Sequence, residues 1–489
     1  MPRVERPGSA STPSHSVANS RAAGDKIAVS GTVFIDANRD GIRGAGEVGL
    51  GNVSVTDGEV WASTQADGSY RIDIDPRRRE TDLVFVVSPN GYTPALRADY
   101  VPQFFQRVPE GRNATGIDFA LTPDANAANP AEKWLMVSDV ETDNRSDDAV
   151  GRSLAQWTGH VAAMSEVDGA SLTITTGDLT VTDYADASRR QGAYDILRAG
   201  LVDGALGHAF YPVIGNHDVG GTDASVGYGG SMEYWRRNLG PEWYSFDRNG
   251  RHIVVLEDNY DSAGLGPQLT WLKEDLRRHA QGKQVFVFAH RSLFTQWGGG
   301  ANMQPIVDEL AKYDVRMFAA GHNQQVEFRR GAFKRSVEVN NSGTYGIDGA
   351  RPDYKILDFS QIVDDSRTAY NEDRGYVFGT RRQFEVDNAV NLVSPMQGGR
   401  YGAFDAIPLE IYAEDDGRTP QRATLTVRRI ASGRVVWRNR DLRFGLKRDW
   451  VGAQHCYVSD DGRAEPCPPP RQAWTRVSDT VRGLLPGRY

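Results

Sequence analysis

No apolar run in this chain approaches the roughly 20 residues that a helix needs to cross a bilayer. Residues Met1 to Asp25 are rich in Ser, Ala and Arg and lack the apolar segment of a secretory leader, so they are expected to be disordered. Basic charge is not in excess either. A formal net charge of −8 argues against a general nucleic-acid binder, although a local basic patch would escape that argument. Cysteine is nearly absent, with only Cys456 and Cys467, close together near the C-terminus. A loop-closing disulfide between them fits an exported protein, and two reduced thiols fit a cytosolic one.

What is present is an ordinary globular balance, 39% hydrophobic and 25% charged, over a length sufficient for about three domains. Residues 26–122 carry short β-rich runs, at 27–35, 53–55, 70–74, 83–87 and 117–121, separated by turn signals such as Asp67-Gly68 and Asn90-Gly91. That punctuation predicts a β-sandwich. Between its first two runs lies Asp36-Ala37-Asn38-Arg39-Asp40-Gly41, followed six positions later by Glu47. This is the D-x-N-x-D-G-x5-E spacing of a calcium loop. Asp36, Asn38 and Asp40 would supply alternating oxygens, Ile42 its carbonyl and Glu47 a bidentate carboxylate. The flanks read as strands, so a structural calcium site is expected, similar to the loop of the B-type repeats of bacterial surface adhesins. An acidic hairpin whose Asp and Asn residues only make turns is the alternative.

Residues 123–133 read as a linker bracketed by Pro123 and Pro130. Beyond it, apolar runs alternate with helical stretches at 147–164, 185–200, 232–239, 266–279 and 303–311, which predicts a layered α/β domain over 134–345. Five of the apolar runs end in side chains suited to metal binding. They reach Asp139 and Glu141, Asp178, Asn216-His217-Asp218, His290, and His322-Asn323-Gln324. Side chains at successive strand ends gather on one rim of a sheet, where open α/β folds hold their sites.

These motifs, D-V-E (139–141), G-D (177–178), G-N-H-D (215–218), the lone His290 and G-H-N-Q (321–324), resemble those of the calcineurin-like metallophosphoesterases. The resemblance spans about residues 134–345 and is most specific in G-N-H-D. It implies a four-layer α/β/β/α sandwich and two divalent ions, Mn, Zn, Fe or Mg, sharing Asp178. One ion would take Asp178, Asn216, His290 and His322. The other would take Asp139, Glu141, Asp178 and Gln324. Glu141 and Gln324 stand where the family has histidines, which makes this second set all oxygen and favours a harder ion. By the same resemblance His217 serves the leaving group and Asp218 holds the orientation of His217.

Residues 346–489 contain further β-like runs and look like the C-terminal β domain that accompanies such enzymes. The expected architecture is thus multidomain, a central α/β domain flanked by two β domains. The expected function is metal-dependent hydrolysis of phosphate mono- or diesters. Its substrate would be a phosphorylated small molecule, a lipid or a cell-wall polymer. A calcium-stabilised surface binding protein with a silent central domain is the competing expectation. The modular layout points to an extracytoplasmic setting, periplasmic or secreted, with the cytoplasm as the alternative. Oligomeric state is not legible.

Overall fold

The computed structural model describes residues 26–75, 81–108, 112–126, 129, 132–143, 154–182, 187–219, 227–258, 265–293, 300–322, 327–330, 333, 336–340, 354–359, 390–394, 406–413, 422–443, 445–446, 475–482 and 484. Eight strands open the chain: β1 (Ile27–Ile35), β2 (Ser54–Thr56), β3 (Trp61–Ser63), β4 (Ser69–Ile74), β5 (Leu83–Val87), β6 (Tyr92–Pro94), β7 (Phe105–Arg107) and β8 (Phe119–Pro123). They form two four-stranded sheets, β4-β1-β8-β6 and β3-β2-β5-β7. In β4 the residues Tyr70, Ile72 and Ile74 are buried, alternating with exposed Arg71 and Asp73, the period-2 pattern of a half-buried strand. The three-residue strands β3, β6 and β7 are too short to show that pattern and were not expected from the sequence.

The calcium-type loop leaves the end of β1. Asp36 accepts from Arg39 N (2.7 Å) and Gly41 N (3.0 Å), Asp40 accepts from Ile42 N (2.8 Å), and Glu47 accepts from Ala37 N and Gly44 N (each 2.8 Å). Its carboxylates thus satisfy the turn's own backbone. Among the described residues Asp36, Asp40 and Glu47 do not converge within 4.8 Å of one another.

The central part runs β9 (Lys133–Val137), α1 (Leu154–Ser165), β10 (Ala170–Thr175), α2 (Ala187–Asp203), β11 (Ala209–Tyr211), α3 (Asn216–Val219), α4 (Gly227–Asn238), β12 (Tyr244–Arg248), β13 (Arg251–Val255), α5 (Leu265–His279), β14 (Gln284–Phe288), α6 (Gly300–Leu310), β15 (Asp314–Ala320), β16 (Glu327–Arg330), β17 (Val337–Asn340) and β18 (Lys355–Asp358). One sheet has the order β11-β10-β9-β18 and the other β12-β13-β14-β15-β17-β16. β9, β10 and β11 are parallel, as are β13, β14 and β15. Their C-terminal ends therefore lie on one edge of each sheet. Helix α2 shows why it packs: Arg190, Ala193, Tyr194, Leu197 and Leu201 are buried at helical spacing. No described helix is long and apolar enough to cross a membrane.

Two boundaries differ from the sequence reading. Strand β18 lies beyond residue 345 yet pairs antiparallel with β9, and Phe359 stacks edge-on against Trp134 at 4.6 Å. A four-residue edge strand carries no site residue and little periodicity, so sequence placed it outside the domain. Nor are the described ends of 123–133 free. Arg248, nearly fully buried, pairs with Asp124 (3.1 Å) and Glu132 (2.7 Å). One apolar core runs from Val29, Val55 and Phe85 through Trp134, Tyr244 and Phe286, joining the N-terminal sheets to the central ones. The described strands beyond residue 359 are β19 (Val390–Ser394), β20 (Ile407–Ala413), β21 (Arg422–Arg428), β22 (Val435–Arg443), β23 (Gly445–Leu446) and β24 (Thr475–Val481). They form a four-stranded sheet, β19-β20-β24-β23, and a two-stranded one, β21-β22. Cys456 and Cys467 lie outside the described residues.

A buried charge network sits beside the N-terminal seam. His252 Nδ1 meets Asp247 (2.9 Å) and its Nε2 meets Asp275 (2.8 Å). Lys283 pairs with Asp247 at 2.6 Å, Ser245 donates to Asp275, and His279 links across to Ser54 at 3.0 Å. Burial alone would keep the His252 ring neutral, but the two carboxylates outweigh it and push its pKa up to about 9. Because this lies above the ordinary 6.5, the bound proton stabilises the fold in full below that pH. The contribution is lost as pH rises toward 9. Thermal melts are expected to show Tm falling across this interval in the wild type, and a flatter profile in His252→Gln.

Candidate metal centre

The chain leaves β9, β10 and β15 in strained turns. Asp139 (φ 47°), Glu141 (φ 52°), Asp178 (φ 53°) and His322 (φ 63°) all occupy the left-handed region. Each such non-glycine residue costs about 1–3 kcal/mol and persists only where the surroundings enforce it. Here paired backbones enforce it: Asp139 N donates to Gly177 O (2.9 Å), Glu141 N to Asp178 O (3.0 Å) and Thr142 N to Leu179 O (2.9 Å). The first turn of α3 then delivers His217 N to Asp178 Oδ1 at 2.8 Å.

Glycines precede three of the site residues for a steric reason. A Cβ on Gly177 would lie 2.3 Å from His290 Nδ1, one on Gly215 2.2 Å from Asp178 Oδ1, and one on Gly321 2.0 Å from Ser138 Oγ. The G-D, G-N-H-D and G-H pairs are therefore packing requirements of the site, as well as turns.

His290 joins the two sheets. Its backbone oxygen accepts from Gly321 N (2.8 Å), and its Nδ1 is 2.8 Å from the Thr176 carbonyl. A carbonyl only accepts, so Nδ1 carries a proton, and Nε2 is the nitrogen that a cation would take once its own proton is displaced. That Nε2 faces Asp178 Oδ2 at 2.9 Å, Asn216 Oδ1 at 3.1 Å and His322 Nδ1 at 3.1 Å. Four groups able to offer lone pairs thus converge on one point, a donor set of two imidazoles and two oxygens that fits a divalent cation. A second group, Glu141, Asp178 and His217, has its ligand atoms within 4.8 Å of one another. Asp178 belongs to both.

The charges agree with this geometry. Burial raises Asp139 to about 7 and Glu141 to about 9, helped in each by the Asp178 charge. Burial acts the same way on Asp178 but is outweighed by His290, which holds Asp178 below the usual carboxylate range. His290 is pushed up to about 9, mainly by Asp178 working against burial, and burial with the neighbouring His290 depresses His322 to about 3. So many buried acids in one place call for positive charge among them.

The structure brings together Asp178, Asn216, His290 and His322. Asp139 is buried beside them, its Oδ2 accepting from Ser138 Oγ and from His322 N at 3.3 Å. Gln324 lies outside the described residues. His217 joins Glu141 and Asp178 in the second group, the place where sequence had put Asp139 and Gln324. One expectation is corrected. The Asp218 carboxylate does not orient the His217 ring; it accepts from Leu179 N, Thr180 N, Thr180 Oγ1 and Gly215 N, pinning the loop after β10 to the loop before α3. Buried Asp258 was missed, although His252–Leu256 followed by Glu257-Asp258 is another apolar run ending in acid. Gly215→Ala is expected to destabilise the fold by about 1–3 kcal/mol in chemical denaturation, because the backbone N of Asp178, 2.3 Å from the new Cβ, has no room to retreat.

A family model described as the N terminal of Calcineurin-like phosphoesterase matches residues 37–124. Among solved structures, the chain is similar to a dimetal phosphatase from Danio rerio, at 13% identity over 47% of this chain and 93% of that one, with a TM-score of 0.34. It is similar to a purple acid phosphatase from yellow lupin (Lupinus luteus) seeds, at 12% identity over 68% of this chain and 66% of that one, with a TM-score of 0.37. A 5'-nucleotidase from Candida albicans matches at 9% identity over 47% of each chain, with a TM-score of 0.31. The N-terminal β strands of this chain are thus similar to the N-terminal domain of calcineurin-like phosphoesterases.

Proposed function

We propose that this chain is a metal-dependent phosphoesterase that hydrolyses phosphate mono- or diesters with a metal-activated water. The observation that carries the reading is His290, whose Nε2 lies within 3.1 Å of Asp178, Asn216 and His322 while its Nδ1 is committed to a carbonyl. Those four residues would hold one ion. Glu141, Asp178 and His217 would hold a second, and their two carboxylates favour magnesium or manganese over zinc there. Bound divalent ions would acidify a water and neutralise charge on the phosphoryl oxygens. The chain's own part is positional. Asp178 is fixed from both sides, by His217 N on one oxygen and the His290 ring on the other. His217, only partly buried, lies on the accessible side of this second group.

The N-terminal loop supplies a second part of the proposal: calcium held by Asp36, Asn38, Asp40, the Ile42 carbonyl and Glu47. The spacing supports it, and the loop would have to draw its carboxylates away from the turn's backbone N–H groups to bind. A calcium-loaded N-terminal β unit would suit an extracytoplasmic setting.

Two measurements test these readings. After metal stripping, aryl phosphate hydrolysis should return when manganese or magnesium is added singly. Loss of about 100-fold or more is expected in His290→Ala and Asp178→Asn, since even the outer partners of metal ligands cost ~10–100-fold. No turnover with any ion, in a folded protein, would favour the binding-protein reading. For the loop, calcium at about 100 times its Kd should add roughly 2.7 kcal/mol to stability, seen as a raised Tm, and Glu47→Gln should abolish the rise.

A further inference from the structure

Arg291 follows His290 directly, on the same edge of the β13–β14–β15 sheet as the metal-type cluster. It is held there twice by a residue from the end of the neighbouring strand. Its backbone N donates to the Asp258 carboxylate, and its NH1 donates to the Asp258 carbonyl at 3.1 Å. Asp258 is itself 2% exposed, so this anchor is rigid. Only one of the guanidinium's five N–H groups is used by that anchor. Arg291 is itself only partly buried.

We propose that Arg291 is a substrate-binding residue that receives a phosphoryl oxygen and favours phosphomonoesters over diesters. The inference rests on the phosphoesterase reading of the adjoining site. A guanidinium is permanently charged, and its planar fork matches two oxygens of a phosphate. The Asp258 anchor holds the side chain next to His290 and commits one of its N–H groups. A monoester carries up to two negative charges and three non-bridging oxygens, whereas a diester carries one charge and two such oxygens. A fixed cation beside the reacting phosphoryl group therefore discriminates by charge and by the extra oxygen.

The test uses full-length, manganese-loaded protein and inorganic phosphate as the probe, titrated by calorimetry. Arg291→Gln is expected to weaken phosphate binding about tenfold or more, the loss of a charged hydrogen bond, and Arg291→Lys by a smaller factor. With aryl esters, Arg291→Gln should raise KM for the monoester by a similar factor and leave the diester KM within about threefold. Equal phosphate affinity in wild type and Arg291→Gln overturns the proposal, and so does wild-type protein that binds no phosphate. A parallel loss on monoester and diester would remove the specificity role. Wild-type protein that binds phosphate but hydrolyses neither ester refutes the phosphoesterase reading, while the titration still decides whether Arg291 holds the anion. Should Arg291→Gln fail to fold, judged by its Tm, Arg291→Lys decides: about threefold weaker phosphate binding supports the proposal and no change overturns it.

Discussion

The imidazole of His290 is the tie on which the centre of this molecule depends. Its Nδ1 is spent on the Thr176 carbonyl beyond β10, its backbone oxygen on Gly321 N beyond β15, and its Nε2 on the cluster between them. One ring therefore sets the separation of two sheet edges and the direction of the lone pairs between them. The turns around it are strained to match. Asp139, Glu141, Asp178 and His322 are four of the nine non-glycine residues with positive φ among those described. Such strain survives because neighbouring backbones over-determine it, and it fixes the side chains before any ligand arrives.

Electrostatics makes the same arrangement costly by itself. Asp139, Glu141, Asp178 and Asp218 are all buried within a few residues of the two imidazoles. The molecule manages them unequally. Asp218 accepts from four N–H and O–H donors and acts as a structural staple, while Asp178 keeps its charge through His290 and α3. Glu141 and Asp139 are left with raised affinities for a proton, which a cation can replace. Acid placed so close without positive charge would oppose folding, so the cluster reads as a functional compromise.

The N-terminal strands belong to this construction physically as well as in sequence. Trp61 lies stacked 6.3 Å from Trp271, Phe104 meets Tyr244 at 4.6 Å, and Arg248 is clamped by Asp124 and Glu132. Aromatic burial of this kind contributes more than any surface ion pair, because it removes large apolar faces from water. The match of residues 37–124 to an N-terminal phosphoesterase domain thus falls on a unit that shares its core with the site-bearing sheets.

Local signals alone reveal a good deal. Strand β5 begins and ends where its apolar run does, β1 likewise, and Gly-Asp, Gly-Asn-His-Asp and Gly-His sit at strand ends because a strand's termination is written in adjacent residues. The chemical types of the donors are equally legible, since a side chain's ligand chemistry does not depend on its neighbours. Its direction does. Only packing turned Asp218 toward backbone N–H groups, drew His217 to Glu141 and Asp178, paired β18 with β9, and tied Asp124 and Glu132 to Arg248. Each of these rests on contacts between residues tens to hundreds of positions apart, where no periodicity carries information and where burial, sterics and charge choose among partners that the chain leaves open.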